Sequence, residues 1–144
     1  MTVRWWRAGL GALALAGWVS PGPLLGQDRL ESVVERARLA WAKHDARTLL
    51  DRSDTVRLRI PGVADGASVR TGQAVRLLSD YLGNAEEVEL ALRELRYLDD
   101  DHAYAEFGRK FTVRGTTDLR AEAVFFGFLR QGGEWRLREV RVTS

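Results

Sequence analysis

The sequence predicts an α+β domain: a curved antiparallel sheet of four to six strands with two or three N-terminal helices packed on one face. Three observations predict it. Before Gly83, apolar residues recur at helical spacing in two separate stretches. After Asn84 nearly every segment alternates apolar and polar residues, the period of a half-buried strand. Glycine-bearing turns at Gly115 and at Gly132-Gly133 then divide that region into lengths suited to hairpins.

Taken in order, Leu30, Val33, Val34, Ala37 and Trp41 lie on one helix face, and Asp28 with Glu31 has the spacing of a capping box. Asp45 is placed to cap a second, short helix from Ala46 to Leu50. Thr55 to Ile60 sets Val56, Leu58 and Ile60 against Arg57 and Arg59, a strand that Pro61-Gly62 ends. A loop or weak strand through Asp65-Gly66 leads to Thr71, read as the N-cap of a third helix whose stripe is Ala74, Leu77, Leu78 and Tyr81 and which Gly83 closes. Val88, Leu90 and Leu92 then alternate on even positions and Leu95 and Tyr97 on odd ones, which predicts a bulge near Arg93-Glu94. Ala103, Ala105, Phe107, Phe111 and Val113 form the next strand, and the turn from Gly115 to Asp118 joins it to a third, Arg120 to Arg130. In the closing strand Trp135 and Leu137 give way to Val140 and Val142, a second change of phase. No internal repeat, low-complexity tract or linker interrupts this order.

Residues 1–27 read as a signal peptide. Arg4 and Arg7 precede the uncharged stretch Ala8 to Val19, which is shorter than the roughly 20 apolar residues a bilayer span needs. Pro21 and Pro23 follow, and cleavage after Gly26 or Gln27 starts the mature chain near Asp28. The expectation is an exported protein, periplasmic or secreted, of one domain over 28–144, with no membrane attachment once the leader is removed. The leader holds two of the 22 basic residues and none of the 20 acidic ones, so the remainder balances at 20 of each. A balanced domain lacks the positive footprint that phosphate backbones require, and nucleic acid is not an expected partner. The chain has no cysteine, so neither disulfides nor thiolate metal sites staple it and burial must hold it together.

The element order, the helix segment GQAVRLLSDYL (Gly72 to Leu82) and the closing GEWRLREVRV (Gly133 to Val142) resemble the nuclear-transport-factor-2-like superfamily over residues 28 to 144. Within it the chain looks most similar to short exported bacterial proteins of domain of unknown function 4783, where a Gln-Ala helix start like Gln73-Ala74 occurs; Tyr81-Leu82 stands where that group has an aromatic pair. The resemblance implies the cone fold and a frequent homodimer, and from the closer group it brings no activity. It also brings the isomerase- and dehydratase-like members of the superfamily, whose pocket carboxylates and tyrosines act as acids and bases. Where the isomerase-like enzymes place a protonated carboxyl, this chain has Val124, Phe125, Phe126, Gly127 and Phe128, and its first strand offers Leu58 and Ile60 where a base would sit.

No catalytic residue, metal site or cofactor is therefore expected. His44 and His102 are distant and lack ligand spacing, and Asp99-Asp100-Asp101 lacks the glycine and closing Glu of a calcium loop. Arg109 carries the most information, because it falls in phase with Phe107 and Phe111 where an apolar residue belongs. In the simplest hairpin register it lies opposite Val124 and diagonal to Glu122, which gives either a structural Arg109–Glu122 ion pair or a bidentate anion receptor in the cone. The pocket set that follows is Trp41, Tyr81, Phe107, Arg109, Glu122 and Phe126. Phe125, Phe126 and Phe128 cannot all share the helix-covered face, so a homodimer through the open face of the sheet is expected. The leading expectation is a non-catalytic exported binding or interaction domain for a small apolar or anionic ligand. The alternatives are an isomerase or dehydratase drawing on Tyr81, Tyr104, Glu106 and Arg109, or a scaffold for another exported protein.

Overall fold

The computed structural model describes residues 29–144. The predicted leader and the Asp28 half of the predicted capping box lie outside them. The order is α1 (Leu30–Ala42), α2 (Ala46–Leu49), β1 (Thr55–Ile60), β2 (Ala64–Arg70), α3 (Thr71–Gly83), β3 (Ala85–Tyr97), β4 (His102–Val113), β5 (Leu119–Gln131) and β6 (Glu134–Thr143). The fold is the predicted α+β arrangement: the strands form one sheet in the order β2-β1-β6-β5-β4-β3, antiparallel throughout except where β1 runs parallel to β6. Four consecutive strands make a meander, and the β1–β2 hairpin docks on its last strand.

The helix stripes account for the layer above the sheet. Leu30, Val33, Val34, Ala37 and Trp41 of α1 and Ala74, Leu78 and Leu82 of α3 are buried against Val124, Phe126 and Phe128 of β5 and Val140 and Val142 of β6. At the end of α1 the chain enters the left-handed region at His44 (φ 57°), and the amides of His44 and Asp45 donate to the carbonyls of Trp41 and Ala40, a Schellman closure. Asp45 then caps α2, accepting from the Thr48 amide at 3.0 Å and from its hydroxyl at 2.7 Å.

Several local expectations need correction. Of the loop or weak strand read through Asp65-Gly66, the strand is what forms: β2 pairs with β1, with a register shift at Gly66-Ala67 where Gly66 takes φ 104°. Thr71 is the first helical residue of α3 and not its cap; its hydroxyl donates backward to the carbonyls of Ser53 and Asp54. α2 stops at Leu49. In β3 the predicted bulge at Arg93 is present, and a second register shift lies between Glu87 and Glu89. That shift makes Val88 an extra residue, 61 % exposed, rather than the inward side chain its alternation suggested. The phase change in β6 is a bulge opposite Gly127-Phe128, as expected. Among the described residues no helix is long and apolar enough to cross a membrane.

Candidate functional site

The β4–β5 loop spans residues 114 to 118, longer than the simplest turn, and this slides the hairpin register by two residues. Arg109 consequently faces Glu122 directly, and Phe107 takes the place opposite Val124. The guanidinium is fully buried on the helix-covered side of the sheet. Its Nη1 donates to Glu122 Oε2 at 3.0 Å and to the Tyr81 hydroxyl at 2.7 Å; Tyr81 in turn donates to Glu122 Oε2 at 2.6 Å. Its Nε donates to both carboxylate oxygens of Glu87 at 3.0 Å, and Nη2 donates to Glu87 Oε1 as well. His44 Nε2 lies 3.2 Å from that same oxygen.

Aromatic rings close the remaining sides. The guanidinium carbon sits 4.0 Å from the Phe111 ring centre, 5.2 Å from Tyr81 and 5.3 Å from Trp41. Trp41 packs on Tyr81 and Phe126, and Phe126 on Phe107. All six residues of the predicted pocket set thus meet in one cluster. Two members escaped sequence reasoning. Glu87 reaches inward only because of the Val88 bulge, since in the run Glu86-Glu87-Val88-Glu89 either phase turns an acid inward. His44 reaches Glu87 from the positive-φ turn, which no spacing rule marks.

Burial, followed by the hydrogen bond to Glu122, raises the Tyr81 phenol well above its usual range and keeps it protonated. Burial works against the charge of Arg109, but the hydrogen bonds and charges of Glu87, Tyr81 and Glu122 outweigh it and hold the guanidinium charged. Every donor nitrogen of Arg109 is engaged by its own chain, so an incoming anion would have to displace a glutamate. Tyr104 and Glu106 alternate away from Ala103, Ala105 and Phe107 on β4 and belong to the opposite face. The enzyme pool of four is therefore split: Tyr81 and Arg109 lie in the cone with Glu87, Glu122 and His44, and Tyr104 and Glu106 lie on the other face.

The open face of the sheet carries a groove of about 680 Å³ whose lining includes Arg57, Arg138, Arg141, Tyr104 and Phe125. The Arg141 guanidinium carbon stacks 4.4 Å above the Phe125 ring. His102 also lines it, held by Asp99 at 2.9 Å; Asp99 accepts the Asp101 and His102 amides, which with the histidine contact lowers its pKa. Each histidine thus has its own carboxylate, and among the described residues no group of three or more potential ligands is arranged to hold a metal.

No protein-family model matches the sequence, and no curated protein matches it. Solved structures do. A DUF4783 family protein from Bacteroides uniformis is similar with a TM-score of 0.61 at 12 % identity, covering 76 % of this chain and 94 % of its own. A ketosteroid isomerase-like protein from Erwinia carotovora atroseptica gives 0.62 at 15 % identity over 78 % and 90 %. An NTF2-like protein of unknown function from Pseudomonas putida gives 0.58 at 16 % identity over 79 % and 82 %. The chain has the nuclear-transport-factor-2-like fold, and DUF4783 proteins are among the structures that share it. At such identities the likeness concerns fold alone.

Proposed function

We propose that this chain is an exported, non-catalytic binding or protein-interaction domain whose working surface is the open face of the sheet. The observation that carries this reading is the state of Arg109: the charge that would make the cone an anion receptor is consumed by Glu87 and Glu122, and Trp41, Phe107 and Phe126 around it are 0 % exposed. The open face has the opposite character, with a groove, a half-buried phenylalanine and three arginines, Arg57, Arg138 and Arg141, that have no carboxylate of the described residues within ion-pair distance. Export is supported by the basic, apolar, proline-ended sequence of residues 1–27.

The test is native mass spectrometry of the protein expressed from its full-length sequence and collected from the exported fraction. The expected spectrum shows the chain from about Asp28 onward carrying a second body, a small molecule or another chain, that Phe125→Ala weakens and Tyr81→Phe does not. Retention that depends on Tyr81 and ignores Phe125 would move the working surface into the cone and overturn the reading. Recovery of an unprocessed chain from the cytoplasm would overturn export.

A further inference from the structure

We infer that the groove on the open face is a receptor for a small dianionic molecule, a phosphate monoester or a dicarboxylate with a flat apolar body; this rests on the reading of the open face as the working surface. The bulge in β6 builds the charged wall. Leu137 and Val140 are both buried, so the two residues between them, Arg138 and Glu139, both fall on the open side, where strict alternation would have placed one. The bulge thereby adds an arginine to a wall that already holds Arg141 and, opposite Glu139 on β1, Arg57. Arg141 is held by its stack on Phe125, and its Nε is buried without a hydrogen-bond partner. Arg138 Nη1 donates to the Thr55 hydroxyl at 3.3 Å. Stacking and a neutral acceptor fix these side chains and leave their charge unmatched. Glu139 lies over Gly127, close enough that a Cβ there would meet its own Cβ at 3.1 Å. Three arginines against one glutamate leave the groove with a net charge of +2, in a mature domain whose charges balance.

The rest of the groove is apolar. Gly127 is paired with Tyr104 on one side and Glu139 on the other, so the middle of the sheet has a floor without a side chain. Half-buried Phe125, Tyr104 and Leu129 border it, and exposed Leu98 lies at its rim. His102 adds no free charge, because Asp99 holds its ring. Just outside, Arg59 beside Arg141 and Glu106 beside Phe125 offset one another. A volume of about 680 Å³ lies within the range of small-molecule sites. A dianion matches the surplus charge, and a two- or three-oxygen head suits the forked donors of arginine. A neutral ligand would cover two unmatched charges and leave both without water, which is costly. The flat body is what the exposed rings and leucines would take.

Isothermal titration of the exported chain tests this with 1-naphthyl phosphate, naphthalene-2,3-dicarboxylate, inorganic phosphate and neutral 1-naphthol. At least one of the two aromatic dianions is expected to bind, roughly 10-fold or more tighter than inorganic phosphate, and 1-naphthol is expected to give no binding heat. The tighter of the two heads assigns the natural one. Arg138→Gln and Arg141→Gln should each weaken the bound dianion roughly 10-fold, the loss of a charge-assisted hydrogen bond. Arg76→Gln removes the same charge from the exposed side of α3 and should change nothing. Far-UV circular dichroism shows that each variant is folded. Binding that ignores both groove arginines, or that is as tight for inorganic phosphate, would overturn the assignment. No binding of either dianion would overturn it too, while a body still retained in native mass spectrometry and weakened by Phe125→Ala would leave the open-face reading standing.

Discussion

On the helix-covered face of the sheet, the Arg109 side chain has no contact with solvent, and two glutamates, the Tyr81 phenol and the rings of Trp41 and Phe111 are organised around it. On the open face, Arg59 and Arg141 stand side by side with no carboxylate of the described residues within ion-pair distance, and Glu94 and Glu106 stand side by side across the sheet. The same kinds of residue are fully satisfied on one side and set against each other on the other. The physical reason is the cost of error. An unpaired charge in the interior loses its hydration with nothing in return, whereas on a wet surface a like-charge pair costs tenths of a kilocalorie and can persist for a later purpose. Satisfied charges mark what holds this protein together, and the unsatisfied ones lie on the face proposed above as its working surface.

The sharpest way to break that contrast is to remove the buried charge. Arg109→Met leaves Glu87 and Glu122 facing each other in a dry site and should lower the unfolding free energy by about 3–5 kcal/mol in urea titration. The triple variant Arg109→Met/Glu87→Leu/Glu122→Leu should regain most of that loss; if it does not, the cluster is more than a neutralised charge. Next in size is the contrast between neighbours on β5. Phe126→Ala should cost about 3–5 kcal/mol of stability, while Phe125→Ala, measured at concentrations too low for association, should cost under about 1.5 kcal/mol. Equal losses would mean that the open face is core already.

The smallest effect expected is one of pH. The Tyr81 phenol is raised by burial and by its hydrogen bond to Glu122, so its stabilisation is complete below the unfolded value near 10 and is lost as pH climbs through the folded one. Alkaline unfolding should therefore show stability falling above pH ~10 by at most about 1.4 kcal/mol per unit from this group, and Tyr81→Phe should flatten that slope. A slope unchanged in the variant would assign the alkaline sensitivity to another phenol.

Much of this molecule was legible because its periods are clean. The stripe from Leu30 to Trp41, the alternation in TVRLRI and the misplaced Arg109 each follow from where side chains must point. The six cluster residues could be named because an arginine in an apolar phase has to find partners and aromatic company. What the sequence concealed lies in places where the backbone departs from its period. The Val88 bulge turns Glu87 inward, the long β4–β5 loop moves Arg109 from Val124 to Glu122, and the left-handed turn at His44 brings its ring to Glu87. Each is decided by contact with a neighbouring strand or helix, information that one-dimensional spacing does not contain. The like-charge pairs on the open face were hidden for the same reason, since their four residues come from four strands.

The Val88 bulge also bears on how this fold can change its length. On either side of it the ladder is regular, with Glu87 opposite Phe111 and Glu89 opposite Lys110. Val88 is surplus to that ladder, so loss of this one codon would close the gap without sliding either flank, whereas loss of a paired residue such as Leu90 would invert every side chain beyond it. The strand contains its own expansion joint, a place where insertion and deletion can occur while the arginine keeps its glutamate.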